Sequence, residues 1–80
     1  MANETVREAR RELTLGERRV RLDFNVSGSA LVREFKMRSA SSIDLLETMR
    51  AASDADQRLI SEAQTRYEDA AMWAVKAATS

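Results

Sequence analysis

Two hydrophobic rhythms divide this chain, and the changeover falls near Gly28. Beyond it the rhythm is helical. At about 100° per residue, Leu31, Val32, Phe35, Ile43, Leu46 and Met49 share one broad stripe, which predicts a long helix over 29–50. Ser39 and Ser42 lie inside that stripe, where small side chains permit close helix approach or a small polar cavity. Lys36 falls at the stripe's edge, Met37 almost opposite it and Leu45 on the other flank. Ser27 or Ser29 can cap the helix start, because a serine oxygen accepts the free amide hydrogens of the first turn.

A break at AASDAD (51–56) precedes a second predicted helix over 54–79. Ser53-x-x-Asp56 reads as an imperfect capping box, and acids at 54 and 56 suit a helix's positive end. Leu59, Ile60, Ala63, Tyr67, Ala70, Ala71, Ala74, Ala77 and Ala78 form its main stripe, with Arg58, Glu62, Arg66 and Asp69 opposite. Beyond Asp69 the polar face fades, and Met72, Trp73 and Val75 spread apolar surface nearly all round. A helix apolar on every side needs cover on every side. The linking loop of about four residues forces antiparallel neighbours, so the expected fold is all-α, an antiparallel two-helix hairpin. One hairpin cannot cover Met72, Trp73, Val75, Met37 and Leu45, which predicts an interface there and a homo-oligomeric helical bundle.

Before Gly28 the pattern is weaker. Residues 1–13 form a polar segment that could be a helix capped by Asn3. Residues 14–28 read as a short helix or arm. Thr14 and Glu17 are spaced for a capping box, which favours a short helix near 14–20. Val20, Leu22 and Phe24 then alternate with polar residues, as in an extended lead into the loop. The hairpin domain is thus expected to span 14–80.

Eighty residues make a single domain whose core is thin without disulfides, metal or partners. The chain has no cysteine and no histidine, so disulfides, thiolate metal sites and the usual Ser–His and Cys–His machinery are excluded. Oligomerisation is the staple that remains. No apolar run approaches the ~20 residues that span a bilayer, and the polar start lacks a signal peptide's apolar core. A cytoplasmic, non-enzymatic protein without metal, cofactor or membrane partner is expected. Net charge is zero, but residues 1–40 hold nine Lys/Arg against six Asp/Glu, while 41–80 hold four against seven. A pI near 6.3 argues against a duplex-DNA binder.

The stretch RLDFNVSGSALVREFK (21–36) has the character of a ligand site. Ser27, Gly28 and Ser29 offer backbone amides at a helix start, a seat for an anion. Asn25 adds an amide, Phe24 an aromatic face, and Arg21 and Lys36 cations. Cation, donors and stacking surface together suit a nucleotide. The plainer alternatives are a capped loop, a core aromatic and a lysine that snorkels. Lys76 reads as a complement to a helix C-terminus.

TLGERRVRLDFNVSGS with VREFK, then IDLLE, then AQTRYEDAAMWAVKAAT, resembles a family of small phage and prophage proteins carrying the hairpin domain of anti-CBASS cyclic-nucleotide sponges. CBASS is a bacterial defence in which cyclic oligonucleotide messengers trigger cell-killing effectors. The resemblance runs from Thr14 to Thr79 and is most specific in GERRVRLDFN and YEDAAMWAVKAAT. It implies a dimer-based homo-oligomer, a hexamer, that sequesters cyclic dinucleotides or trinucleotides without cutting them, in the cytoplasm of the bacterial host. It also places the family's ligand-contacting lysine at Lys36. The family's aromatic stacking position falls at Arg21, with Phe24 the nearest aromatic. Val26 stands where relatives carry a proline, so a less preorganised loop is expected. Two other readings are a helical oligomer acting as a protein–protein interaction module, and a single-stranded nucleic-acid binder with strong salt dependence.

Overall fold

The computed structural model describes residues 12–52 and 54–80. The expected helix capped by Asn3 lies outside them. Three helices make up the described chain: α1 (Leu15–Val20), α2 (Ala30–Ala52) and α3 (Gln57–Thr79), with no strand among the described residues. α2 and α3 form the antiparallel hairpin, and α1 packs mainly on α2 with a lesser contact to α3.

The short helix exists because both of its ends are chemically closed. At the start, the Thr14 hydroxyl accepts from the Glu17 amide at 3.1 Å, and Glu17 Oε1 accepts from the Thr14 amide at 2.9 Å. At the other end Arg21 turns left-handed with φ 55°. The Arg21 and Leu22 amides then reach back to the carbonyls of Arg18 and Glu17, at 3.2 and 3.0 Å. The Gly16 amide donates to Asp44 Oδ1 of α2 at 2.8 Å. A Cβ on Gly16 would sit 2.1 Å from the Ala40 carbonyl oxygen, so the two backbones touch where neither residue has bulk.

The hairpin's ends differ from expectation by small steps. α2 continues to Ala52, and Ser29 closes its start, its hydroxyl accepting from the Val32 amide at 3.3 Å. α3 begins at Gln57 rather than 54. The Asp56 carboxylate accepts from the amides of Arg58 and Leu59, at 2.9 and 3.2 Å, and this single strong cap sets the boundary. Ser53 lies outside the described residues.

The buried face of α2 is rotated from the expected stripe. Val32, Lys36, Ser39, Ala40 and Ile43 are buried, whereas Leu31, Phe35 and Met49 are exposed. The physical reason is that α2 serves two partners. The close approach of α1 selects the small Ala40, and Ile43 joins the cluster that also takes Ala71 from α3. Lys36, expected at the edge, is only 3% exposed. On α3, Ile60 and Ala71 are buried as the stripe requires, but Leu59 and Tyr67 are exposed and the polar Gln64 is buried beside Ile60 and Ala71 on the helix face. Val20, Leu22, Ala40, Ile43 and Ala71 form the central cluster, with Leu15 against it.

Beside that cluster, and meeting it at Ile43, a polar lock joins α2 to α3. Gln64 Nε2 donates to the Ile43 carbonyl at 3.1 Å and to Glu47 Oε1 at 3.0 Å. Arg50 donates to Glu47, Gln57 and Ser61 side chains and to Gln64 Oε1, at 3.1, 3.1, 2.8 and 2.9 Å. These bonds, first from Gln64 and then from Arg50, hold the Glu47 carboxyl below its ordinary pKa. Buried polar groups need such partners, and among the described residues none is left without one.

Met72, Trp73, Met37 and Leu45, expected at an interface between copies, are all exposed, and Val75 is half-buried.

Gly16→Ala should lower stability by about 3 kcal/mol or more, since a methyl driven into a fixed carbonyl cannot be relieved by a rotamer change. A urea titration reads this directly, and an unchanged midpoint would contradict the close α1–α2 contact.

Candidate nucleotide pocket

The cavity that collects most of the predicted cations opens between the α1–α2 loop and the C-terminal half of α3. Its volume is ≈ 610 Å³. From the first half of the chain it takes Arg19, Val20, Arg21, Phe24, Val26 and Lys36. From α3 it takes Glu68, Ala71, Met72, Val75, Lys76 and Thr79. Four cations therefore face one carboxylate, in a chain whose formal charge is zero. A smaller hollow of ≈ 240 Å³ on α3, lined by Glu62, Arg66 and Asp69 among others, carries no such excess of positive charge.

Lys36 is placed by α2 and spent largely on the loop. Its ammonium donates to the Arg21 carbonyl at 2.9 Å and to the Phe24 carbonyl. One helical turn earlier, Arg33 donates to the Leu22 carbonyl at 3.3 Å. Two side chains of α2 thus gather three carbonyls of the loop, and that loop carries the Arg21 and Phe24 side chains into the cavity wall. Burial, and secondarily the positive charge of Arg21, pushes the Lys36 ammonium below its ordinary pKa.

Arg19 is also engaged. Its Nε lies 2.6 Å from Glu68 Oε1, and its two terminal nitrogens reach Gln64 and Thr65 more loosely, at 3.5 and 3.4 Å. Arg21 and Lys76 are different: among the described residues, neither side chain donates to a protein acceptor, although Lys76 Nζ sits 4.9 Å from the centroid of the Trp73 ring.

Asn25, Ser27, Gly28 and Ser29 do not line the cavity. They bond to one another. Asn25 Nδ2 donates to the Ser29 carbonyl at 2.9 Å, the Ser27 hydroxyl donates to Asn25 Oδ1 at 2.6 Å, and the Ser29 amide donates to Ser27 Oγ at 3.1 Å. The Gly28 amide donates to the Asn25 carbonyl at 3.1 Å, with Gly28 left-handed at φ 65°. The amides of Gly28 and Ser29, expected as an anion seat, are therefore consumed inside the turn. The same bonds organise the loop without a proline, and Val26 is free to be exposed at the cavity's edge.

Sequence reasoning thus placed Arg21, Phe24 and Lys36 in one region, and the structure brings them to one cavity. It did not foresee the α3 wall. Met72, Val75, Lys76 and Thr79 are spaced i, i+3, i+4 and i+7, a helical signal that identifies one face but not what that face looks at. Nor did any local pattern announce the Arg19–Glu68 pair, whose members are 49 residues apart.

Among the described residues, no group of His, Cys, Asp and Glu could hold a metal ion, and no helix is long and apolar enough to cross a membrane. A comparison with protein families matches residues 17–79 to the model described as Acb2/Tad1, hairpin domain. No curated protein and no solved structure matches the chain.

Because Lys36 in the folded chain loses its proton more readily than a lysine in the unfolded chain, native stability carried by this group rises as pH climbs from the lowered value towards 10.5. Side-chain NMR of Lys36 should show a titration midpoint below 10.5, and a midpoint at or above it would contradict the buried placement.

Proposed function

The chain belongs to the Acb2/Tad1 hairpin-domain family, the anti-CBASS cyclic-nucleotide sponges, and on that footing we propose that it captures cyclic oligonucleotide messengers and holds them uncut. The observation that carries this reading is the cavity itself. It is roomy, has three more positive charges than negative ones, and combines them with Phe24 and the apolar Val20, Met72 and Val75. Phosphates take the cations and bases take the aromatic and aliphatic walls. Cyclic dinucleotides are the expected ligands, with trinucleotides as candidates.

In this reading Arg21 holds phosphate, and Phe24 contacts a base. Lys36 adds positive potential and one remaining N–H while keeping both residues in position. A sponge needs tight binding without turnover, and a chain lacking histidine and cysteine offers neither the usual general base nor a thiolate nucleophile. Bound messenger withdrawn in this way cannot reach the effectors of the host's defence, so the proposed place of action is the bacterial cytoplasm.

The proposed assembly is a dimer-based homo-oligomer, a hexamer. Its support is the outward-facing apolar surface: Leu31 is 81% exposed, Leu45 65%, Met72 61% and Trp73 58%. Monomeric proteins seldom leave so much apolar surface open. A two-fold interface would present each subunit's cations twice to a ligand that is itself nearly two-fold. The same surface would equally suit a different protein, which is the second reading, an interaction module.

Isothermal titration against a panel of cyclic di- and trinucleotides should give saturable heat with at least one member. Chromatography of the recovered ligand should show it intact. Light scattering should report a species several times 9.0 kDa. No heat with any member would reject the sponge and leave the interaction module, while a monomer that binds would reject only the assembly.

A further inference from the structure

We propose that Glu68 reads a base of the captured messenger and gives this cavity a preference for guanine. The proposal rests on the sponge reading and adds base selectivity to it.

The side chains around the cavity are rich in donors and poor in acceptors. Arg19, Arg21, Lys36 and Lys76 supply only N–H groups, and the other lining side chains are apolar except two. Of those two, Thr79 turns its hydroxyl to the Val75 carbonyl at 2.9 Å, and Glu68 is the one carboxylate. The loop carbonyls of Arg21 and Phe24 already take the Lys36 ammonium. Phosphodiesters need donors, and the cations serve them. A nucleobase carries N–H groups of its own, and an N–H enclosed without an acceptor weakens binding. Among the cavity's side chains, Glu68 is the group equipped to take them.

Its surroundings leave it able to do so. Arg19 Nε holds Oε1 at 2.6 Å and fixes the carboxylate in place, while Oε2 receives no protein donor among the described residues. An ionised carboxylate has about four acceptor positions, so one arginine bond leaves most of them vacant. The terminal nitrogens of Arg19 lie 3.5 and 3.4 Å from Gln64 and Thr65, at the outer limit of hydrogen bonding, and can turn to a better acceptor. The pair therefore presents two acceptors beside two lightly held donors. Guanine's Watson–Crick edge is the complement: N1–H and the N2 amine donate side by side, and O6 accepts next to them. Adenine offers one amine there beside the lone pair of N1, which a carboxylate oxygen repels.

The plainer role for Glu68 is to fasten α1 to α3 and, as the cavity's one negative charge, to oppose any anionic ligand. That role predicts that removing the charge tightens all cyclic dinucleotides alike. Base reading predicts the opposite for guanine.

Cyclic di-GMP and cyclic di-AMP are titrated calorimetrically into the wild-type protein and Glu68→Gln, with circular dichroism to verify folding. Wild type should prefer cyclic di-GMP by about tenfold or more, the worth of one well-matched bidentate base contact. In Glu68→Gln that ratio should fall to within about threefold, through weaker binding of cyclic di-GMP. Proton NMR of the wild-type complex should show the guanine N1–H protected from exchange with water, a readout that needs no variant. A wild type that binds a guanine-free cyclic nucleotide as tightly as cyclic di-GMP, or a folded Glu68→Gln that keeps the wild-type ratio, overturns the proposal and leaves the sponge reading standing. If wild type binds no cyclic nucleotide at all, both fall.

Discussion

An ammonium group taken out of water must find oxygen, and the segment between α1 and α2 is shaped around giving it two. Lys36 sits on the inner face of α2, and the carbonyls of Arg21 and Phe24 turn towards it. Arg21 adopts a left-handed conformation, which costs a residue with a Cβ about 1–2 kcal/mol, and its carbonyl bond to Lys36 offsets part of that cost. The bend ends α1, starts the descent to α2 and sets the cavity's rim. Burial of a charge here serves architecture first, and any ligand chemistry is superimposed on it.

The second requirement is α1 itself. Two helices meeting along one face would leave Ala40 bare, and α1 covers it by coming so close that its own contact residue is glycine. The Arg19–Glu68 pair fastens the same helix to α3. Together these contacts bring the arginine-rich early sequence against the end of α3. The charge asymmetry that is diffuse along the chain, with bases early and acids late, becomes local: most of the acids of the second half lie elsewhere, and the cavity retains only Glu68 to oppose its cations.

Much of this was legible in the chain, for identifiable reasons. The Thr14–Glu17 box, the break at 51–56 and the two long periodic stretches are local signals, and each appears within a few residues of its expected place. The start of α3 was misjudged because Asp56 caps it strongly by itself. The face of α2 was misjudged because periodicity weighs only hydrophobicity. A helix contacted from two directions buries whatever is small enough for the nearer partner, so Ala40 is buried under α1 while Phe35 is exposed. The burial of Lys36 and Gln64 was illegible for a related reason: it depends on carbonyls 12 to 21 residues away, as with Lys36 to Phe24 and Gln64 to Ile43. At the site, Phe24, Arg21 and Lys36 could be grouped because they are near in sequence. The turn at 25–29 looked like an anion seat because its amides were assumed vacant, when Asn25 and the two serines already occupy it.

The lock formed by Arg50, Gln64, Glu47, Gln57 and Ser61 differs in kind from the cluster of Val20, Leu22, Ile43 and Ala71. Apolar contact slackens on cooling, whereas hydrogen bonds between polar side chains do not share that decline. The molecule's two regions consequently respond unequally to a chill. The facing ends of α2 and α3 stay fastened while the floor beneath the cavity softens, so low temperature acts on the pocket before it acts on the locked end of the hairpin.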